Sequence, residues 1–215
     1  MRALTWNLYH GRSPSPAGRS LLDEFAAALA GWEWDVALLQ EVPPWWPPSL
    51  AAAAGAEQRS VLTARNGLLK LRRAISGRNP DILKANGGGA NTILVRGPIL
   101  EHRSALLTRL PERRMAHGVR LADGAWVVNL HASTHVEARA QADTERALDA
   151  AREWAAGAPL LFGGDVNVKR PALPGMVRIA GNHVDHLFTE GRRGRDAEVL
   201  ERGRLSDHAP VAVTL

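Results

Sequence analysis

The stretch APLLFGGDVN, residues 158–167, decides how the rest of the chain is read. Apolar residues run through Leu160, Leu161 and Phe162 into two glycines, and then into Asp165 and Asn167. A short apolar run bounded by turn residues reads as a buried strand. The carboxylate and the carboxamide stand at its end. There they either cap a local turn or face outward as part of a site.

Working outward, the same design recurs. Upstream, residues 135–157 form an alanine-rich, mixed-charge pattern ending in glycine, which predicts a helix. Before it, AWVVNLHAS (125–133) reads as a strand ending near His131. Downstream, NHVDHLFTEG (182–191) reads as a strand carrying Asp185, and the arginine-rich segment 191–204 leads to a last strand from Pro210. Asp207 and His208 stand just before that strand. The amino-terminal part alternates in the same way: a strand over 2–8 with Asn7, a helix over 18–32, and a buried strand over 35–42 holding Gln40 and Glu41. The proline-rich 43–49 cannot stay in a ladder, and a short helix is expected within 47–56. Residues 64–97 are the least regular, with basic turns and a glycine cluster before a strand at 91–96; segments 99–110 and 115–122 read as neighbouring strands. With no repeat and no dividing linker, one α/β domain over residues 1–215 with mixed sheets is expected.

The absence of cysteine excludes disulfide scaffolds, thiolate metal sites and cysteine nucleophiles. No run approaches the roughly 18 apolar residues of a membrane span, and the first apolar run holds a polar Asn7, so a cytoplasmic protein is expected. The net charge of +5 suits a polyanionic partner such as nucleic acid or another phosphate ester. Abundant arginine and alanine also fit a simple base-composition bias.

The polar residues share a position. Asn7 follows LTW, Glu41 follows VALLQ, His131 follows VVNL, Asp165 and Asn167 follow LLFGG, Asp185 follows NHV, and Asp207 and His208 precede APVAV. Each stands at one end of an apolar strand. If those ends share a rim, the set converges on one pocket.

In this order TWNL, LLQEV, VVNLHAS, FGGDVN, HVDHLF and LSDHAP resemble the motifs of the endonuclease/exonuclease/phosphatase (DNase I-like) superfamily, from residue 5 to residue 211. Residues 43–124 carry no diagnostic motif. The resemblance implies a four-layer α/β sandwich, two mixed β-sheets face to face with helices outside. It implies a phosphoester hydrolase using Mg²⁺ or Mn²⁺, ions suited to an oxygen-rich site. Glu41 would be the principal metal ligand, with Asn7 and Asp207 close to metal and phosphate. His208 would act as general base on water, oriented by Asp185. Asp165 would sit near the leaving oxygen, or would itself be the base; the resemblance leaves both assignments open. Asn167 would hydrogen-bond a phosphate oxygen. His131 would stabilise the pentavalent phosphate. Its position is histidine in DNase I-like and phosphatase-like members and tyrosine in the exonuclease III type, so the chain leans away from abasic-site repair.

Other motifs have plainer readings. HASTH spaces His131 and His135 by four but lacks the glutamate of a zinc protease, and His131 ends a strand. GGGAN has no Gly-Lys-Ser/Thr and reads as a turn. Trp45 and Trp46 either stack a base at the mouth of the site or pack a rigid loop. Arg65, Lys70, Arg72, Arg73 and Arg78 either line a nucleic-acid groove or form a solvated face. Three functions are therefore expected in order: a metal-dependent nuclease, a phosphatase or phosphodiesterase of a small or lipid phosphate ester, and an inactive binding module.

Overall fold

The computed structural model describes residues 1–191 and 193–215. In chain order the elements are β1 (Arg2–Asn7), α1 (Leu22–Gly31), β2 (Val36–Val42), α2 (Pro47–Ala54), β3 (Glu57–Leu62), α3 (Leu69–Arg78), a short α4 (Pro80–Leu83), β4 (Ala90–Val95), β5 (Ile99–Thr108), β6 (Arg114–Leu121), β7 (Trp126–His131), α5 (Glu137–Ala155), β8 (Leu160–Asp165), β9 (Met176–Asn182), β10 (Asp185–Glu190), β11 (Arg195–Val199) and β12 (Val211–Thr214).

The strands form two six-stranded sheets, ordered β11-β12-β1-β2-β4-β3 and β5-β6-β7-β8-β10-β9. Each is mixed, with one parallel pair at its centre, β1 with β2 and β7 with β8. The two sheets follow one plan: a parallel βαβ unit built on α1 or α5, followed by a hairpin whose second strand lies next to the unit.

Alternation along the strands builds four layers. Ala3, Val36, Leu38, Ile93 and Val213 of the first sheet meet Val119, Val127, Leu161 and Leu187 of the second. On the first sheet's other face, Leu4, Trp6 and Leu39 pack on Phe25 and Leu29 of α1 and Leu50 of α2. On the second sheet's other face, Trp126, Val128, Leu130 and Phe162 pack on Ala140, Ala147, Leu148 and Ala151 of α5. The arrangement is the four-layer sandwich of two mixed sheets.

Three strands differ from the sequence expectation: β3, β9 and β11 carry no readable strand pattern. β3 and β9 close their sheets, and β11 is exposed at every residue. In β11, RDAEV, charge replaces apolar alternation, which removes the signal that identifies a strand. The expected helix over 18–32 shortens to α1: Gly18 takes φ +68°, and Leu21, at φ −109° and ψ 18°, is the residue that precedes the first turn. The irregular 64–97 region resolves into α3, α4, a glycine turn and β4.

The topology sets the rim. Parallel strands β1, β2, β7 and β8 all end there, carrying Asn7, Glu41, His131 and Asp165. Strands β10 and β12 run antiparallel to their neighbours and therefore start there, bringing Asp185 and the segment holding Asp207 and His208 to the same place. Beneath it, Gln40 Nε2 donates to Asn129 Oδ1 across the two sheets (2.8 Å), and Asn129 Nδ2 donates to the Leu39 and Thr92 carbonyls (2.9 and 3.0 Å). This buried polar bridge fixes one sheet's end against the other.

Candidate active site

Local backbone geometry aims the side chains. Glu41 lies in a bulge of β2, where the register with β4 shifts between Leu39 and Val42, and its φ is +50°. A bulge turns a side chain out of the sheet's alternation, and such strained backbone concentrates at functional sites. Gly164 takes φ +133°, and a Cβ there would lie 2.2 Å from the Leu130 carbonyl oxygen. Only glycine permits that close approach, which seats Asp165 beside His131 at the end of the parallel pair.

The segment before β12 is tied to β1. Ser206 Oγ donates to the Asn7 carbonyl (2.6 Å), the His208 N–H donates to Ser206 Oγ (3.0 Å), and Trp6 Nε1 donates to the His208 carbonyl (3.0 Å). So held, His208 Nδ1 meets Asp185 Oδ2 at 2.7 Å. Its Nε2 lies 4.0 Å from Asp165 Oδ2 and 3.9 Å from Asp207 Oδ1. Asp185 and Asp165 face each other directly in the β8–β10 register.

Asp165 is the hub. Asn7 Nδ2 donates to its Oδ2 (2.8 Å), the Asn167 N–H donates to its Oδ1 (3.1 Å), and His131 Nε2 lies 3.5 Å from Oδ2. The Asn167 side chain donates to the Ala132 carbonyl (3.1 Å). Glu41 stands between two imidazoles, with His10 Nε2 3.2 Å from one oxygen and His131 Nε2 4.0 Å from the other.

Burial and crowding divide the titrations. Burial, and then the charge of Asp185, push the Asp165 carboxyl up to about 7. Burial also raises Asp185, against the hydrogen bond from His208. Burial disfavours a charged His208, but the hydrogen bond to Asp185 and the charges of Asp185, Asp165 and Asp207 outweigh it and raise the ring to about 9. Burial and the Arg114 charge hold His131 well below the usual imidazole range. Burial works against the Glu41 carboxylate, yet His10, His131 and His208 lower its pKa well below the ordinary value.

The structure thus brings Asn7, Glu41, His131, Asp165, Asn167, Asp185 and His208 into one cluster, while Asp207 stands exposed at its edge. Ligand atoms of Asp165, Asp185 and His208 all lie within 4.8 Å of one another. The buried Asp185 Oδ1 has no hydrogen-bond partner among the described residues. Clustered carboxylates, an unpartnered buried oxygen and two carboxylate oxygens with one imidazole nitrogen at this spacing fit a divalent cation. Asp185 Oδ2 is committed to His208 and Glu41 Oε2 lies against His10, so each carboxylate keeps one oxygen for a cation.

Sequence reasoning missed three contributors. His10 follows Asn7 by three residues and contacts Glu41. Asp143, fully buried on α5, accepts from the Ser133 N–H and hydroxyl (2.9 and 2.5 Å) and from the Thr108 hydroxyl (2.7 Å), anchoring the loop after His131. Arg114 is a buried guanidinium at the start of β6. A lone His or Asp in an unremarkable stretch gives no sequence signal; only the fold shows what it faces. Trp46 is buried against Phe25, ring centroids 5.5 Å apart, which is the loop-packing alternative. His186 is buried with Nε2 3.0 Å from the Val168 carbonyl, in keeping with a packing role. A cavity of about 380 Å³ lined by Met1, Asp123, Pro159 and Leu215 includes none of the cluster.

Comparison with known proteins follows this geometry. A family model described as Endonuclease/Exonuclease/phosphatase family matches residues 4–208. No curated protein sequence matches significantly. An endonuclease/exonuclease/phosphatase from Beutenbergia cavernae DSM 12333 superposes with a TM-score of 0.76 at 19% identity, covering 99% of this chain and 70% of that one. TDP2 from Caenorhabditis elegans gives 0.72 at 16% identity, over 99% and 73%. The mannosyl-6-phosphatase Bt3783 of Bacteroides thetaiotaomicron VPI-5482 gives 0.64 at 16% identity, over 99% and 98%. At these identities the structural likeness establishes the fold.

Proposed function

The chain belongs to the endonuclease/exonuclease/phosphatase family, and from that premise we propose that it is a divalent-cation-dependent phosphodiesterase acting first on nucleic acid. One observation carries the reading: His208 is hydrogen-bonded through Nδ1 to Asp185 and presents Nε2 toward Asp165. An imidazole fixed at one nitrogen by a carboxylate is oriented to take a proton at the other.

The cation, Mg²⁺ or Mn²⁺, would be held by Glu41 with Asn7 and Asp207 nearby. When bound it supplies charge stabilisation to the phosphate oxygens. The chain's own residues do the rest. His208 Nε2 accepts the proton of the attacking water, and Asp185 stabilises the imidazolium that results. Asp165, whose pKa burial pushes up to about 7, is half protonated near neutrality and in its protonated form delivers a proton to the departing oxygen. With His208 raised to about 9 and Asp165 to about 7, the productive form is the minor one in which His208 is neutral and Asp165 protonated. His131, kept neutral by burial and by Arg114, donates an N–H to the phosphate, and Asn167 orders the Asp165 loop through its backbone N–H.

The net charge of +5 and the cations of α3 support a polyanionic substrate. A small phosphate ester is the second reading, favoured by the likeness over nearly full length to a sugar phosphatase. A panel of plasmid DNA, single-stranded DNA, RNA and inositol phosphates, each with Mg²⁺, Mn²⁺ or EDTA, separates the two. Metal-dependent cutting of nucleic acid supports the first. Turnover of the small esters alone replaces it with the second.

A further inference from the structure

Beside the catalytic cluster, a cleft of about 300 Å³ opens between the start of β6 and the amino end of α5. Glu112, Arg114, Ser133, Thr134, His135 and Arg139 line it. It adjoins the site directly. Ser133 follows His131 by two residues, and the register pairing Ala116 with Leu130 brings Arg114 alongside the end of β7.

Two independent features make the cleft attractive to an anion. The first is Arg114. It is 5% exposed, its Nη2 donates to Glu112 (2.5 Å), and its buried Nε has no hydrogen-bond partner among the described residues. A buried guanidinium donor without an acceptor carries a desolvation cost that a bound oxyanion would remove. The second is α5 itself. It runs for 19 residues, and its N-cap residue, Val136, makes no side-chain capping bond. Its first backbone N–H groups point out of the helix, where the dipole favours negative charge. Arg139 and His135, both exposed, add donors at the mouth. The acids near the cleft are Glu112, which is shared between Arg114 and an ion pair with Arg65, Glu137 in the first turn of α5, Asp143, which holds Ser133, and on the catalytic side Glu41 and Asp165, whose charges also act on Arg114.

We propose that this cleft binds a second phosphate of the substrate, next to the one being hydrolysed. The inference rests on the phosphodiesterase reading and deepens it. The substrates it selects are phosphoesters with a further phosphate in reach, as in an oligonucleotide or an inositol polyphosphate. A guanidinium fork and a helix amino end match the oxygens of a phosphate group.

The test compares substrates that differ only in that phosphate: TpT against its 5′- and 3′-phosphorylated forms, and inositol 1-phosphate against inositol 1,4-bisphosphate. The wild-type protein is expected to favour a doubly phosphorylated member by about tenfold or more in kcat/KM, mainly through KM, as for one charge-assisted contact. Arg139→Glu is expected to bring that ratio toward one. A preference confined to the nucleotide set assigns the second phosphate to nucleic acid, and one confined to the inositol pair assigns it to inositol phosphates. Equal kcat/KM in both sets, or a preference that Arg139→Glu leaves intact, overturns the proposal. Crystals soaked in tungstate provide a readout without turnover. If the protein hydrolyses nothing, the phosphodiesterase reading fails, and tungstate in the cleft, lost in Arg139→Glu, still upholds the anion site. A cleft without tungstate overturns it.

Discussion

Replacing Asp185 by Asn removes a charge while keeping the shape of the partner to His208. The ring is raised from 6.5 to about 9, equivalent to about 3 kcal/mol of preference for the charged imidazole. The hydrogen bond and charge of Asp185 are the leading causes of that rise. Without them burial, already the largest single influence on the ring, is opposed chiefly by the charges of Asp165 and Asp207, and burial favours its neutral form. His208 in Asp185→Asn is therefore expected to titrate at or below 6.5. Histidine ring NMR on EDTA-treated protein between pH 5 and 10 measures this, with His208→Gln identifying the resonance. The consequence for catalysis has a definite sign. A base must be neutral to accept a proton, so the alkaline-rising limb of the rate profile moves to lower pH in the variant. The maximal rate falls about 10²- to 10⁴-fold because the imidazolium formed during reaction loses its counter-charge. A ring still titrating near 9 in Asp185→Asn would refute the claim that this carboxylate sets the charge of His208.

Further outcomes follow from the same geometry. Asp165 has its pKa raised to about 7, so its contribution to stability is complete below the unfolded value near 3.8 and is lost as pH rises through 7. EDTA-treated Asp165→Asn is thus expected to melt a few °C above wild type at pH 8 while losing phosphoesterase activity; a lower melting temperature contradicts the burial argument. Asp143→Ala leaves Ser133 and Thr108 donors without their acceptor and is expected to cost about 3 kcal/mol in urea unfolding, against no change if the loop is held by other contacts. Gly164→Ala drives a Cβ into the Leu130 carbonyl at a φ of +133°, and soluble, normally stable protein would disprove the requirement for glycine there.

The central strands were legible because both their faces are apolar. LLFGGD, VALLQ and VVNL each read as a buried strand and each proved to be one, in the parallel pairs at the sheet centres or beside them. The site residues were legible by position, since a polar side chain ending an apolar run must leave the core at a rim. Their convergence was not. It depends on two parallel βαβ units laid face to face, and no local pattern encodes which strand ends meet. Of the edge strands, β5 was legible while β3, β9 and β11 were not; RDAEV in β11 has no buried face. His10, Arg114 and Asp143 were hidden because their meaning lies in partners far along the chain. Arg114 is interpretable only once β6 is seen beside β7.

The most direct test of the account is hydrolysis of bis(p-nitrophenyl) phosphate by wild type and His208→Ala, each with EDTA and with Mg²⁺ or Mn²⁺, alongside circular dichroism to verify the fold. The account predicts turnover by wild type only with a divalent cation, and loss of that turnover in a folded His208→Ala. Equal rates in the two proteins, or wild-type turnover undiminished by EDTA, would contradict it.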